Sequence, residues 1–435
     1  MKISKLHIDQ FRHLQDLNFD FTYPDDFHDE AKRGKPLDKI CFIGQSATGK
    51  TGLLELIYEN INFLFSLETI NNKYILNRTE NLNSLEGELI LKLNNEYLKY
   101  NRESISFRGN EFIYENGEGS INRLIPIDYK ENIFYLKSNL ISDKNIELFS
   151  TNPIDLIEKY NSQIENIKIS KRNKQLKPFK LIFDDKVDEI TWLFLINEII
   201  DYRKNFTQKM SELIHKGLLA NQKKLSIEFE KWQKDNPNIL ELFASKFNSA
   251  LEKLNLEVDI INTEYSIPIK NKINDEVIPI QNTSTGTKGL LLSFLPLYSL
   301  DTKDSIILID EPERSLYPDM QMDLMEYYQN LAPEAQFIVA THSPFIAASF
   351  EPEERFILYF DEAGKVAVRR GSSPIGDDPN DMLKNDFGVN YYNKFGEEAY
   401  KKYLNLKENL AKEKDPIKKK ELLLETVKLG DTYNF

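Results

Sequence analysis

Apolar and polar residues alternate from Ile3 to Phe21, and the alternation breaks once, near His13. That pattern predicts two strands joined by a turn. A polar stretch from Tyr23 to Lys39, punctuated by Pro24, Gly34 and Pro36, reads as a loop. Lys39-Ile-Cys-Phe-Ile43 is a short apolar run of the buried-strand kind, and a glycine-bounded turn leads from it to Leu53-Leu-Glu-Leu-Ile57, whose spacing is helical. Leu89–Leu93, Phe112–Tyr114 and Ile133–Leu136 look like strands of an antiparallel region. From about Asp188 to Leu254 the period changes. Trp192, Leu195, Ile196, Ile199 and Ile200 recur at helical spacing, and Asn236-Pro237 punctuates a second helical stretch, without the sustained heptads of a coiled coil. Strand character returns at Val258–Tyr265, Val277–Ile280, Ser305–Ile309 and Phe337–Val339. A hairpin is expected at Phe356–Phe360 and Val366–Arg370, turning at Glu362-Ala-Gly364. The last forty residues interleave Lys and Glu in a helical pattern.

Strands that alternate with helices place the chain in the α/β class. Its 435 residues suffice for two or three compact units, or for one large core with an insertion. The net charge of −13 makes the surface as a whole repel nucleic acid, so any such contact needs a local basic patch. One exists: Lys168, Lys171, Arg172, Lys174, Lys177 and Lys180 occur together with Phe179 and no acid, either as a solvated loop or as a nucleic-acid contact. A single cysteine, Cys41, excludes an internal disulfide framework and fits a reducing compartment. Five scattered histidines leave no structural zinc site. No stretch approaches the roughly 18 apolar residues of a membrane helix, and the opening MKISKLHIDQF does not read as a signal peptide. The expectation is a cytoplasmic protein with no membrane partner.

Two segments carry chemistry. Gly44-Gln45-Ser46-Ala47-Thr48-Gly49-Lys50-Thr51, followed by Gly52, fits G-x-x-x-x-G-K-[ST] between a buried strand and an amphipathic helix. Glycines let successive N–H groups turn inward onto phosphate oxygens, and the helix N-terminus adds its positive dipole end. Lys50 then reaches the β- and γ-phosphates of ATP, and Thr51 offers its hydroxyl to Mg²⁺. The apolar run Ser305–Ile309 ends in Asp310 and Glu311, followed by Pro312 and Glu313. At the carboxyl end of a parallel strand, where ligands bind, Asp310 suits a Mg²⁺ site and Glu311 a general base for the attacking water.

Three further segments narrow the choice among phosphate-loop proteins. Thr283-Ser284-Thr285-Gly286-Thr287-Lys288-Gly289 precedes an apolar helix and lies just upstream of Asp310. It resembles the ABC signature loop, with Ser284 and Gly286 at the positions that grip the γ-phosphate on the opposing subunit, and Thr283 where leucine is commoner. Glu313-Arg-Ser315-Leu316-Tyr317-Pro318 resembles the loop that crosses the dimer interface. Phe337-Ile-Val-Ala-Thr341-His342-Ser343-Pro344 places His342 at the position of the switch histidine that contacts the γ-phosphate. In this order the motifs resemble the ABC ATPases of the SMC-like and OLD-like (overcoming lysogenization defect) group. The opening Ile3–Arg12 resembles that group's first strand, and the resemblance implies that Arg12 lies near the nucleotide. No clear glutamine loop is present; Phe134–Asn139 occupies its place, with Asn139 or Lys137 as substitutes.

The resemblance implies an ABC-type phosphate-loop NTPase core with a strand-rich N-terminal lobe, a helical insertion and a helical C-terminal tail. The corresponding boundaries are 1–150, 151–257, 258–375 and 376–435, the tail being the partner-binding segment. The long separation of Lys50 from Ser284 favours this group over transporter ATPases. The residues after His342 hold only one acidic cluster, Asp377-Asp378-Pro-Asn-Asp381, which reads as a helix-capping loop rather than a nuclease site. What remains resembles the stand-alone ATPase subunits of anti-phage systems such as Septu, PARIS and some retrons. That implies self-association around ATP and control of a separately encoded nuclease or toxin. A DNA-binding repair or chromosome-organising ATPase is the alternative.

Overall fold

The expected hairpin at the start of the chain is formed by β1 (Lys2–Phe11) and β2 (Leu14–Asp20), which pair antiparallel. The chain reverses at Arg12, which takes a left-handed φ of 53°. The structure is a computed structural model and describes residues 1–66, 85–113, 133–163, 165, 181–262, 264–389 and 394–433. The basic run 168–180 and Tyr114 lie outside the described residues. Among the described residues the chain divides into two compact units, Met1–Gly376 and Asp377–Phe435.

Two large sheets organise the first unit. One is antiparallel, in the order β2-β1-β4-β5-β6-β7, with β4 at Glu86–Leu93, β5 at Glu96–Asn101, β6 at Ser104–Phe107 and β7 at Asn110–Ile113. The other has seven strands, β16-β15-β3-β14-β13-β8-β9. Its members are β3 (Lys39–Gly44), β8 (Ile133–Leu136), β9 (Ile182–Phe183), β13 (Ile306–Asp310), β14 (Gln336–Ala340), β15 (Arg355–Phe360) and β16 (Val366–Arg370). All run parallel except β16, which closes the expected hairpin with β15. Strands β8, β13 and β14 are buried at every position, as a parallel sheet covered on both faces requires.

Ile133–Leu136 therefore departs from expectation. It does not join the antiparallel region but pairs parallel with β13, Phe134 opposite Ile307 and Leu136 opposite Ile309. Four consecutive buried apolar residues have no polar face to give water, so they fit only the covered sheet. Val258–Tyr265 also shrinks, to β10 (Leu256–Val258), because the Asp259 carboxylate accepts the N–H groups of Ile261 and Asn262 and folds the backbone into a turn. β10 forms a small antiparallel sheet with β11 (Ile269–Asn271) and β12 (Val277–Ile278). Pro279, which has no N–H for a ladder, ends the last of these strands.

The phosphate-loop helix α1 (Lys50–Ser66) follows β3 directly. Helices α2 (Asp143–Ser150), α3 (Pro153–Lys159), α4 (Glu189–His215), α5 (Gln222–Asp235) and α6 (Ile239–Leu251) make up the middle of the chain. α4 is capped by Asp188 and buries Trp192, Leu195, Ile196, Ile199 and Ile200, the residues whose spacing predicts it. Then come α7 (Thr285–Ser299), α8 (Pro318–Leu331) and the short α9 (Pro344–Ala347). Buried Gln336 stitches the sheets: its Oε1 accepts from the Ile3 N–H, and its Nε2 donates to the carbonyls of Ile3 and Leu37.

The second unit holds α10 (Pro379–Asn385), α11 (Lys394–Lys412) and α12 (Pro416–Tyr433). Asp378 caps α10 by accepting the Asn380 N–H, so the acidic cluster has the capping role expected of it. Lys402 and Glu425 join α11 to α12 at 2.9 Å. Among the described residues, no helix is long and apolar enough to cross a membrane, and no group of three or more His, Cys, Asp or Glu side chains could hold a metal ion.

Candidate active site

Neighbouring strands β3, β14 and β13 end at one edge of the parallel sheet, and the chemistry-bearing residues follow their carboxyl ends. Gly44 closes β3 with its Cα against the main chain of β15; a Cβ there would lie 2.3 Å from the Leu358 carbonyl oxygen. Ala47 (φ 67°) and Gly49 (φ 93°) then curl the loop through left-handed conformations. The buried Thr48 hydroxyl closes it by donating to the Gln45 carbonyl at 2.8 Å, while Gln45, Ser46 and Ala47 remain exposed. Lys50 is buried and donates to the carbonyls of Gly44 (2.8 Å) and Gln45 (3.1 Å). Burial lowers its pKa to about 8, against the attraction of Asp310, Glu311 and Glu313.

Thr51 and Asp310 meet at the centre. The Thr51 hydroxyl lies 3.2 and 3.1 Å from the two Asp310 carboxylate oxygens. Burial raises the Asp310 pKa to about 6; the Thr51 hydrogen bond opposes this and Glu311 adds to it. A hydroxyl beside a carboxylate that is costly to ionise is a donor set suited to a hard divalent cation, which supplies the missing positive charge. Glu311 continues the ladder by donating its N–H to the Ala340 carbonyl at 2.9 Å, yet it stands at φ 50°. A non-glycine residue held in the left-handed region costs about 1–3 kcal/mol, and such strain clusters at functional sites.

His342 follows β14. Its N–H donates to Glu313 Oε1 at 2.8 Å, and its imidazole pKa is lowered by burial and then by Lys50, so the neutral ring is favoured. The next residue, Ser343, caps α9 by accepting from Phe345 and Ile346.

Ser284 is the N-cap of α7, accepting the Thr287 N–H at 3.1 Å, and it remains exposed. Gly286 is buried, and a Cβ there would meet the Ser315 carbonyl oxygen at 2.6 Å. The hydroxyl of Ser284 bonds to the Thr287 side chain and N–H, and its carbonyl accepts the Lys288 N–H. The structure thus brings Lys50, Thr51, Asp310, Glu311 and His342 together, while Gly286 packs against Ser315 in the segment after Glu311.

A family model described as an AAA ATPase domain matches residues 1–347. The chain belongs to that AAA ATPase family. This AAA ATPase is 24% identical over 375 residues to a retron Vc95 probable ATPase of Vibrio cholerae serotype O1 biovar El Tor, covering 78% of this chain and 73% of that protein. Among solved structures it is similar to an Smc head domain from Pyrococcus furiosus bound to the C-terminal domain of ScpA (TM-score 0.39, 16% identity, 85% of this chain and 96% of that one). It is also similar to the SMC head domain from Thermotoga maritima (TM-score 0.38, 14% identity, 86% and 100%).

Several neighbours of the AAA ATPase site have weak sequence signals or none. Arg12 pairs with Glu55 on α1 at 2.9 Å, and its Nη1 lies 3.3 Å from where a Cβ on Gly52 would stand, so it borders the phosphate-loop helix. His13 packs against Gly49. At the glutamine-loop place, Asn139 donates to Asp185 rather than to the site. Lys137 and Ser138 line a small cleft with Asp310, Glu311 and Gly286, and Arg314 donates to the Ser138 carbonyl at 2.8 Å. Buried Tyr135 on β8 lies within electrostatic reach of Asp310. Arg12, Lys137 and Asn139 were singled out in the sequence, and Glu313 was noticeable as the third acid of Asp310-Glu311-Pro312-Glu313.

Proposed function

We propose that this chain hydrolyses ATP to ADP and phosphate at a site shared between two copies, and that it controls a separately encoded nuclease or toxin in anti-phage defence. The observation that carries the hydrolytic reading is the convergence of Lys50, the Thr51–Asp310 pair, strained Glu311 and His342 at the ends of adjacent parallel strands. Lys50 exchanges its loop carbonyls for the β- and γ-phosphates. Thr51 and Asp310 are the residues that would hold Mg²⁺, whose charge would offset that of the phosphates. Glu311 orients the attacking water and accepts its proton. Neutral His342 offers a ring N–H to the γ-phosphate.

Ser284 and Gly286 carry a hydroxyl, an N–H and the positive end of α7, a set of groups that suits the phosphate of a second copy. The defence role draws support from the similarity to a retron ATPase. The partner-binding role of the tail draws support from exposed Phe395, Ile417 and Leu424. Glu311→Gln tests the core of the reading. It keeps the side-chain shape and removes the base, so ATP binding should persist, hydrolysis should fall at least 100-fold, and a dimer or larger oligomer should accumulate on size-exclusion chromatography with ATP and Mg²⁺. A variant that stays monomeric and releases phosphate at the parental rate would overturn the assignment.

A further inference from the structure

Glu313 sits among groups that make a negative charge unwelcome. Asp310 and Glu311 are close by, its Oε2 is buried without a well-formed hydrogen bond, and burial raises its proton affinity, with Glu311 adding to the effect. A fold that needed only packing here would do better with an apolar residue. Its other oxygen, however, accepts the main-chain N–H of His342 at 2.8 Å. We propose that Glu313 is a positioning residue for hydrolysis: its carboxyl holds the backbone of His342 and so fixes where the imidazole stands over the γ-phosphate.

Two observations favour positioning over general support of the fold. First, the histidine turn already has a structural anchor: Ser343 donates to Gln321 Oε1, and Gln321 Nε2 donates to the Leu316 carbonyl. The turn therefore has a hold that does not pass through Glu313, whose carboxyl meets the Thr341 side chain as well as the His342 N–H. Second, Glu313 lies in the chain between Glu311 and Ser315, whose carbonyl oxygen rests against Gly286. A shift of the signature loop against Ser315 reaches Glu313 within two residues and His342 through one hydrogen bond. Glu313 is thus placed to make the imidazole position depend on what the signature loop meets.

The inference rests on the reading of His342 as a γ-phosphate contact, and the variants separate the two. Steady-state phosphate release and fluorescent-ATP binding are measured for Glu313→Ala, Glu313→Gln, His342→Ala and the Glu313→Ala/His342→Ala double variant, with thermal unfolding of each. A misplacement of about 1 Å in a positioned group costs on the order of 100-fold in rate. Glu313→Ala should therefore lose roughly 10- to 100-fold in kcat, with ATP affinity within about threefold of the parent. Glu313→Gln, which keeps an acceptor oxygen, should recover most of that rate. The double variant should be no slower than His342→Ala alone. If the losses of the two single variants multiply, or if Glu313→Gln is as slow as Glu313→Ala, the positioning role is wrong while the His342 reading stands. If His342→Ala hydrolyses at the parental rate, both fall. Should Glu313→Ala fail to fold, Glu313→Asp, which withdraws the acceptor by one methylene, takes its place with the same expectations.

Discussion

Asp310→Asn should destroy hydrolysis and stabilise the fold. In the folded chain the Asp310 carboxyl is raised from 3.8 to about 6 by burial and by Glu311 and Glu313, net of the Thr51 bond and the attraction of Lys50. At about 1.4 kcal/mol per pH unit, holding it ionised costs the fold about 3 kcal/mol at neutral pH. Asparagine keeps an oxygen for the Thr51 hydroxyl and removes that cost. The sign follows from proton binding. Because the folded-state value is the higher one, the folded chain holds the proton between pH 3.8 and about 6 while the unfolded chain has lost it, so the parent's stability falls as pH rises through this window. Below it both states are protonated and the variant gains nothing. Urea unfolding with EDTA and without nucleotide should therefore show an advantage for Asp310→Asn of about 3 kcal/mol at pH 7, shrinking to roughly half by pH 5. With ATP and Mg²⁺ the order should reverse, since ligand stabilises only the chain that binds it. Parallel stability curves for the two proteins from pH 5 to 8 would refute the electrostatic argument. That outcome would place Asp310 in a well-solvated setting.

The same group should govern the pH dependence of turnover: kcat/KM should fall on the acid side as pH drops through about 6, and the limb should move to lower pH as Mg²⁺ rises. Gly286→Ala forces a Cβ to within 2.6 Å of the Ser315 carbonyl oxygen. It should cost about 1–3 kcal/mol of stability, read as a lowered Tm, together with most of the phosphate release. Ser284→Ala removes the cap of α7, which should cost about 1 kcal/mol. If Ser284 also meets the phosphate of a second copy, its loss of ATPase activity should far exceed that small change in stability.

Features that depend on contiguous residues were legible in the sequence. The phosphate loop, the strand ending in Asp310 and the hairpin at Arg355–Arg370 are each written into one short segment, and the helix over Glu189–His215 follows from its own spacing. Features that depend on a distant partner were not. Ile133–Leu136 is apolar throughout, but its neighbour β13 lies far along the chain and leaves no mark on the segment itself. The shortened β10 turned on one side chain, Asp259, outcompeting a ladder for two N–H groups. Glu313 was visible as an acid, but its partner is a main-chain N–H, which leaves no mark on the sequence. The diversion of Asn139 to Asp185 had the same character.

The placement of β3 bears on the timing of synthesis. Its two neighbours in the sheet are β14 and β15, so the strand that carries the phosphate loop has no pairing partner until residues beyond 336 have been made. Gln336, which binds the N-terminal strand to the centre, arrives equally late. Such long-range closure is slow and leaves apolar strands uncovered while the ribosome works. It also means that an interrupted chain ending before β14 cannot assemble a nucleotide site. A truncated product would be a target for chaperones and proteases, but it could not compete with finished copies for ATP.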